Sequence, residues 1–262
     1  MARIHPSAIV EPGAQLAEEV QVGAFCVIAA NVTIESGTSI DAHVVVTGNT
    51  RIGRNNRIYS FCALGEIPQD KKYAGERTEL VIGDGNTIRE FCSLNAGTAQ
   101  GGGVTRIGSD NWIMSYVHIA HDCAIGDHTV LANLTQLAGH VTVGDWAVLG
   151  GMVGVHQFVR IGAHAMCGGG STLVQDVPPF VLCRGSPAKP FGINVEGLQR
   201  RAFDEETITA LKRAYRTVFR DGLTLVQARE AIQSGLPEGP AAAEAIGQFV
   251  QFLAEPGRGI IR

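Results

Sequence analysis

Along most of this chain an aliphatic residue returns every six positions, a period that very few folds can accommodate. From Ile4 it falls on Val10, Leu16, Val22, Ile28, Ile34, Ile40, Val46, Ile52, Ile58 and Leu64, and it resumes at Ile82, Ile88 and Leu94. After a slip of phase it runs from Ile107 to Leu173, broken only by Cys167. No helix has a period of six, and a strand meander does not keep one for so long. Six residues per side and three sides per turn give a coil of about 18 residues, a triangular prism of short parallel strands. The aliphatic residue points inward and stacks on its counterpart in the next coil, so that neighbouring coils bury one continuous core. A glycine or other small residue usually follows it, as at Gly53, Gly108 and Gly144, where a Cβ would clash at a sharp corner.

The fifth position of the hexad is also compact: Ala8, Ala14, Val20, Cys26, Val32, Thr38, Val44 and Cys62. A narrow prism with a second inward-facing site requires this. Cys26, Cys62, Cys92 and Cys123 all take that position and read as small core residues, not disulfides or metal ligands. With no CxxC among six cysteines, the expected compartment is a reducing cytoplasm. The start, MARIHPSAIV, enters the repeat at once without the apolar segment of a signal peptide, and no apolar run approaches twenty residues. A net charge of −4 gives no case for nucleic acid.

The period is interrupted at 65–81 and again at 99–106. Leu64 to Ile82 is 18 residues, which reads as an excursion replacing about one coil; Leu94 to Ile107 is 13, which reads as two hexads and one extra residue. Loops thrown out of a solenoid usually serve a surface function. After about 190 the period gives way to a helical pattern, so the expected organisation is a prism over 1–190 and a helical unit over 191–262. Asp204 followed by Glu205 and Glu206 predicts a capped helix to Arg220, Thr224 opens a second ending near Gly235, and Pro240 a third reaching Leu253. Lys212, Arg213, Arg216 and Arg220 form a basic face, either solvated or suited to an acidic partner protein. This tail is expected to cap the open end of the prism.

Five of eight histidines fall between 118 and 156, among them His118, His121, His140 and His156. The last three are spaced by about one coil, which stacks them along one edge at roughly 4.8 Å per coil. Such a cluster suits two chemistries: general-base catalysis by an imidazole, or zinc held by three imidazoles and a water. Asp122 beside His121 could orient the ring, although neighbours on a regular strand face opposite ways, so the pairing needs a corner. The histidines alone leave both chemistries open.

Several segments resemble the UDP-N-acetylglucosamine acyltransferases that begin lipid A synthesis. They are IGxNNxIYxFxxLGE with xPQDxKYAGE across 52–76, QGGG at 100–103, HIAHDCAIG at 118–126, LAGHVTVGDWAVLGGM at 137–152, VHQFVRIGAHAM at 155–166, QDVPPF at 175–180 and PFGINVEGLQRR at 190–201. They cover nearly the whole chain in order. The resemblance implies a mainly β fold, a left-handed parallel β-helix with a C-terminal α-helical domain. It implies transfer of a 3-hydroxyacyl group from acyl carrier protein to the 3-hydroxyl of UDP-N-acetylglucosamine by a cytoplasmic homotrimer needing no metal or cofactor. It assigns His121 as general base, Asp122 as its orienting carboxylate and the Gly139 N–H as oxyanion donor. Asp70, Lys72, His118, His140, His156 and Gln157 are assigned to the substrate cleft, and Asn194, Glu196, Arg200 and Arg201 to the nucleotide. Gly169, with Met166, is assigned to the closed end of the acyl groove, where a missing side chain implies about fourteen carbons.

One departure bears on the acceptor. Many members carry Ile-His-Arg-Gly-Thr or Ile-Asn-Arg-Gly-Thr where this chain reads Leu94-Asn95-Ala96-Gly97-Thr98, and some relatives acylate a 3-amino sugar. Other readings are the N-acyltransferase of the next acylation, which normally carries a sugar-binding domain before its prism, a zinc carbonic anhydrase of the hexapeptide fold, and a scaffold without chemistry.

Overall fold

The computed structural model describes residues 1–255 and 257–262. The hexads form two- to four-residue strands distributed over three sheets of 11, nine and eight strands, parallel throughout except for the last strand of the first, and these are the faces of a left-handed β-helix. The first face begins at Arg3–Ile4, the second at Ile9–Val10 and the third at Gln15–Leu16. Register stacks like on like: Ile58 pairs with Ile88, Ile82 with Ile107, and Leu94 with Ile119. Most hexad aliphatics are fully buried, but at the open N-terminal end Ile4 is 45% exposed, because no coil covers it.

The glycine after the aliphatic residue answers to close approach and not to backbone twist. A Cβ on Gly83 would lie 2.6 Å from the carbonyl oxygen of Gly108 in the next coil. The left-handed turns fall two residues later and mostly on larger side chains. On the corner between the first and second faces they include Phe25, His43, Phe61, Phe91 and Tyr116, all with φ near +60°. Their rings stack at centroid spacings of 5.1, 4.9, 5.0 and 4.9 Å, contacts that offset the cost of that backbone. We call this the aromatic corner.

Inside the prism the fifth position is not uniformly apolar. Beneath the third-to-first corner, Asn56, Asn86 and Asn111 are buried and hydrogen-bonded from coil to coil: Asn86 N and Nδ2 donate to Asn56 Oδ1, and Asn111 N donates to Asn86 Oδ1. The cysteines Cys26, Cys62, Cys92 and Cys123 are buried free thiols, and burial pushes the Cys123 thiol up to about 12.

Both interruptions differ from their reading as replaced or extended hexads. Ile82 lies one face beyond Leu64, and Ile107 one face beyond Leu94, since both pairs step from the second face to the third. Each insertion is therefore an excursion from a corner within a coil that otherwise continues.

The tail forms α1 (Val195–Arg200), α2 (Glu205–Phe219), α3 (Leu225–Ser234) and α4 (Pro240–Ala254). Asp204 caps α2 by accepting from Thr207 N at 2.7 Å, and Thr224 forms a capping box with Gln227. Before α1 the chain adds an antiparallel strand, Lys189–Ile193, to the first face. The C-terminus returns to the prism, where Asp176 N donates to Gly259 O and Ile261 N to Asp176 O. Arg160 closes this junction. Its Nε donates to the buried Asp176 at 3.0 Å, one terminal nitrogen to Glu255 at 2.7 Å, and its guanidinium covers the Phe252 ring of α4.

Candidate active site

Leu64, Leu94 and Ile119 are all second-face hexads, so both excursions and the His121 segment leave the prism at one corner, between the second and third faces. The base of the first excursion is pinned by the second: Asn95 Nδ2 donates to Ile67 O at 3.0 Å, Ala96 N to Glu66 O at 2.9 Å, and Gly97 N to Glu79 O at 3.2 Å. Within the first excursion Lys72 N donates to Asp70 Oδ1 at 2.9 Å, leaving the Lys72 side chain exposed.

At this histidine corner Asp122 adopts φ +59°, which turns its side chain to the same side as that of its neighbour. His121 Nδ1–H thereby donates to Asp122 Oδ2 at 2.7 Å, and both side chains are almost wholly buried. A hydrogen bond at Nδ1 fixes the tautomer and presents the Nε2 lone pair outward. Gly139, one coil on, lies against that ring: a Cβ there would fall 2.6 Å from His121 Nε2. Among the described residues no acceptor takes the Gly139 N–H.

His140 stands edge-on to His121, with centroids 5.2 Å apart, and stacks on Phe158 at 4.6 Å. Its Nε2 is 3.6 Å from Asp122 Oδ2. Burial pushes the His140 imidazole below its ordinary range, against the opposing pull of the Asp122 and Asp70 charges. His118 lies 2.7 Å from Ser93 Oγ, and burial lowers its pKa as well.

The remaining predicted residues are dispersed. His156 and Gln157 occupy the histidine corner one coil beyond Gly139, but His156 is exposed with Nδ1 turned to the Gln157 carbonyl at 3.1 Å. The donor atoms within 4.8 Å of one another belong to His121, Asp122 and His140, so three imidazoles do not converge. Asn194 is the buried N-cap of α1, accepting from Gly197 N and donating to His164 O. Arg201 donates to Trp146 O at 3.0 Å and covers the Trp146 ring, on the third-to-first corner. Arg200 and Glu196 are exposed partners at 3.6 Å. Met166 is half-buried on the first face, and Gly169 is exposed at the aromatic corner. A groove of about 770 Å³ runs along the third face beneath α4, and none of the histidine-corner side chains lines it.

Thr98, Thr105 and Gly101 were not apparent as site residues from the sequence. Thr98 N and Oγ1 donate to Asp122 Oδ1 and Oδ2 at 2.8 and 2.6 Å, and Asp122 N donates to Thr105 Oγ1 at 2.8 Å. The sequence signals were the segments themselves, since Gly101 lies in QGGG and Thr98 ends the Leu94-Asn95-Ala96-Gly97-Thr98 run.

Residues 176–261 match the family model "Udp N-acetylglucosamine O-acyltransferase; Domain 2", and residues 105–139 match the bacterial transferase hexapeptide model. The chain is 56% identical over 262 residues, covering all of both chains, to the acyl-[acyl-carrier-protein]–UDP-N-acetylglucosamine O-acyltransferase of Thiobacillus denitrificans. The solved structure of LpxA from Acinetobacter baumannii is similar with a TM-score of 0.95 at 47% identity, and the UDP-N-acetylglucosamine O-acyltransferase of Moraxella catarrhalis with 0.95 at 44%, each match covering 99% of both chains.

Proposed function

The chain belongs to the UDP-N-acetylglucosamine O-acyltransferase family, and on that premise we propose that it moves a 3-hydroxyacyl group from acyl carrier protein to the 3-hydroxyl of UDP-N-acetylglucosamine, the first step of lipid A synthesis. His121 Nε2 removes the proton from the acceptor hydroxyl as its oxygen attacks the thioester carbonyl carbon. The Gly139 N–H donates to the oxyanion of the tetrahedral intermediate. The carbon–sulfur bond then breaks, and the leaving thiolate recovers the proton from His121. Asp122 holds the ring and stabilises its charged form. The observation that carries this reading is the buried 2.7 Å contact of His121 with Asp122 beside the unpaired N–H of Gly139.

Asp70, Lys72, His118, His140, His156 and Gln157 serve the cleft around this base, and Asn194, Glu196, Arg200 and Arg201 serve the nucleotide, with the arginines suited to phosphate oxygens. Gly169 and Met166 bound the acyl chain. The dispersal of these groups supports a homotrimer. One prism carries the base on its histidine corner, while the acyl and nucleotide residues flank its first face from the aromatic and the third-to-first corners. Three copies in a ring, each seating its histidine corner against the first face of the next, unite them. No helix among the described residues is long and apolar enough to cross a membrane, and we place the enzyme in the cytoplasm.

The test is His121→Ala, which keeps its fold and trimer mass but loses acyl transfer at least about a hundredfold; near-normal turnover overturns the mechanism. Offering the 3-hydroxy and 3-amino sugars together decides the acceptor atom, on which Asn95 and Ala96 bear. A second reading, a divalent metal on His121, Asp122 and His140, is favoured by their donors lying within 4.8 Å of one another. Both Asp122 oxygens already accept from Thr98, which favours the orienting role. Metal analysis of purified protein and activity in a strong chelator discriminate the two.

A further inference from the structure

We infer that Thr98, at the base of the second excursion, is a positioning residue for the proposed base, acting through Asp122. Asp122 Oδ2 faces three donors: Thr98 Oγ1 at 2.6 Å, His121 Nδ1 at 2.7 Å and His140 Nε2 at 3.6 Å. A carboxylate with two histidines in reach can serve either by rotating about its Cβ–Cγ bond. Thr98 removes that freedom by holding both oxygens, Oδ1 from its backbone N–H and Oδ2 from its hydroxyl. The hydroxyl is itself aimed, because Thr98 Oγ1 accepts from Gly101 N at 3.2 Å and so spends its one proton on Asp122. Gly101 closes the clamp, since a Cβ on that residue would overlap the Asp122 carboxylate. Thr105 fixes the Asp122 backbone from the other side. Thr98 and the side chain of Asp122 are both buried, so no water substitutes for the lost contacts at full strength. The short Gly-rich excursion thus supports the His121–Asp122 pair from outside the prism.

The inference rests on the His121–Asp122 reading, and the experiment separates the two. Turnover and KM for both substrates are measured for Thr98→Val, Thr98→Ser, Asp122→Asn and the double variant Thr98→Val with Asp122→Asn. Thr98→Val is expected to lower kcat by roughly 10- to 100-fold, the scale of losing a group that orients a working histidine's partner, with both KM values within about twofold. Thr98→Ser, which keeps the hydroxyl, is expected to stay within about threefold of the parent. In the Asp122→Asn background Thr98→Val is expected to add no further loss, because its route is already cut. Losses that multiply in the double variant, a serine that fails to rescue, or a Thr98→Val enzyme with normal kcat each overturn the inference. An Asp122→Asn enzyme with normal turnover overturns the dyad itself.

Discussion

Gly139 and His121 are fitted to each other across one coil: a Cβ at 139 would sit 2.6 Å from Nε2, the atom proposed to take the proton. The glycine φ is not in the left-handed region, so alanine is acceptable to the backbone and only the ring must move. Gly139→Ala is therefore expected to fold with a somewhat lowered unfolding midpoint, since a buried ring must shift, and to lose turnover by about a hundredfold, the cost of a misplacement near 1 Å. Normal kcat in that variant would remove Gly139 from the site.

Gly169 at the aromatic corner is exposed and its φ is not left-handed, and an added Cβ would meet Gly151 O at a tight 3.2 Å, which a small backbone shift relieves. Gly169→Met is expected to leave folding intact and to shift preference toward shorter acyl chains. Competition between carrier proteins loaded with 3-hydroxyacyl chains of different length reads this out. An unchanged preference would sink the assignment.

Arg160 neutralises Asp176, whose side chain is 1% exposed, and also ties Glu255 and the Phe252 carbonyl to the prism. Arg160→Ala leaves that carboxylate buried and unpaired, at a cost of about 3–5 kcal/mol. The expected result is a lowered unfolding midpoint together with faster proteolysis in α4, measured by mass spectrometry of the fragments.

Acid should weaken the junction between prism and tail through His164. Burial, with the Arg201 charge adding to it, brings this imidazole to about 4 from an ordinary value of 6.5. The unfolded chain takes up the proton first, so stability is unaffected above pH 6.5 and falls progressively between 6.5 and 4. His164→Gln, which cannot titrate, is expected to flatten the dependence of the unfolding midpoint over that window.

The fold was legible because the hexad is itself the packing rule: Ile28, Ile58 and Leu94 are buried where the period puts them. Cys26 to Cys123 followed from the same phase, and Asp204 and Thr224 announced their helices. What the period cannot express is what one coil does to another through polar atoms. The Asn56–Asn86–Asn111 column was hidden because asparagine at an inward position looks like a break in an apolar pattern. Thr98 was hidden because its partner is 24 residues away and meets it only through the left-handed turn at Asp122. The two excursions were misread for a related reason: counting residues in sixes ignores that a loop returns to the face after the one it left.

From His121 to Gly139 to Gln157 the histidine corner advances one coil at a time, and the next coil carries Asp176, where the returning C-terminus joins. Coils are the graduations of this molecule. The separation between its chemistry and its helical end is a whole number of them, adjustable only in increments of roughly 4.8 Å. Any finer tuning of reach must come from side-chain length alone, which makes a single glycine such as Gly169 the vernier of the scale.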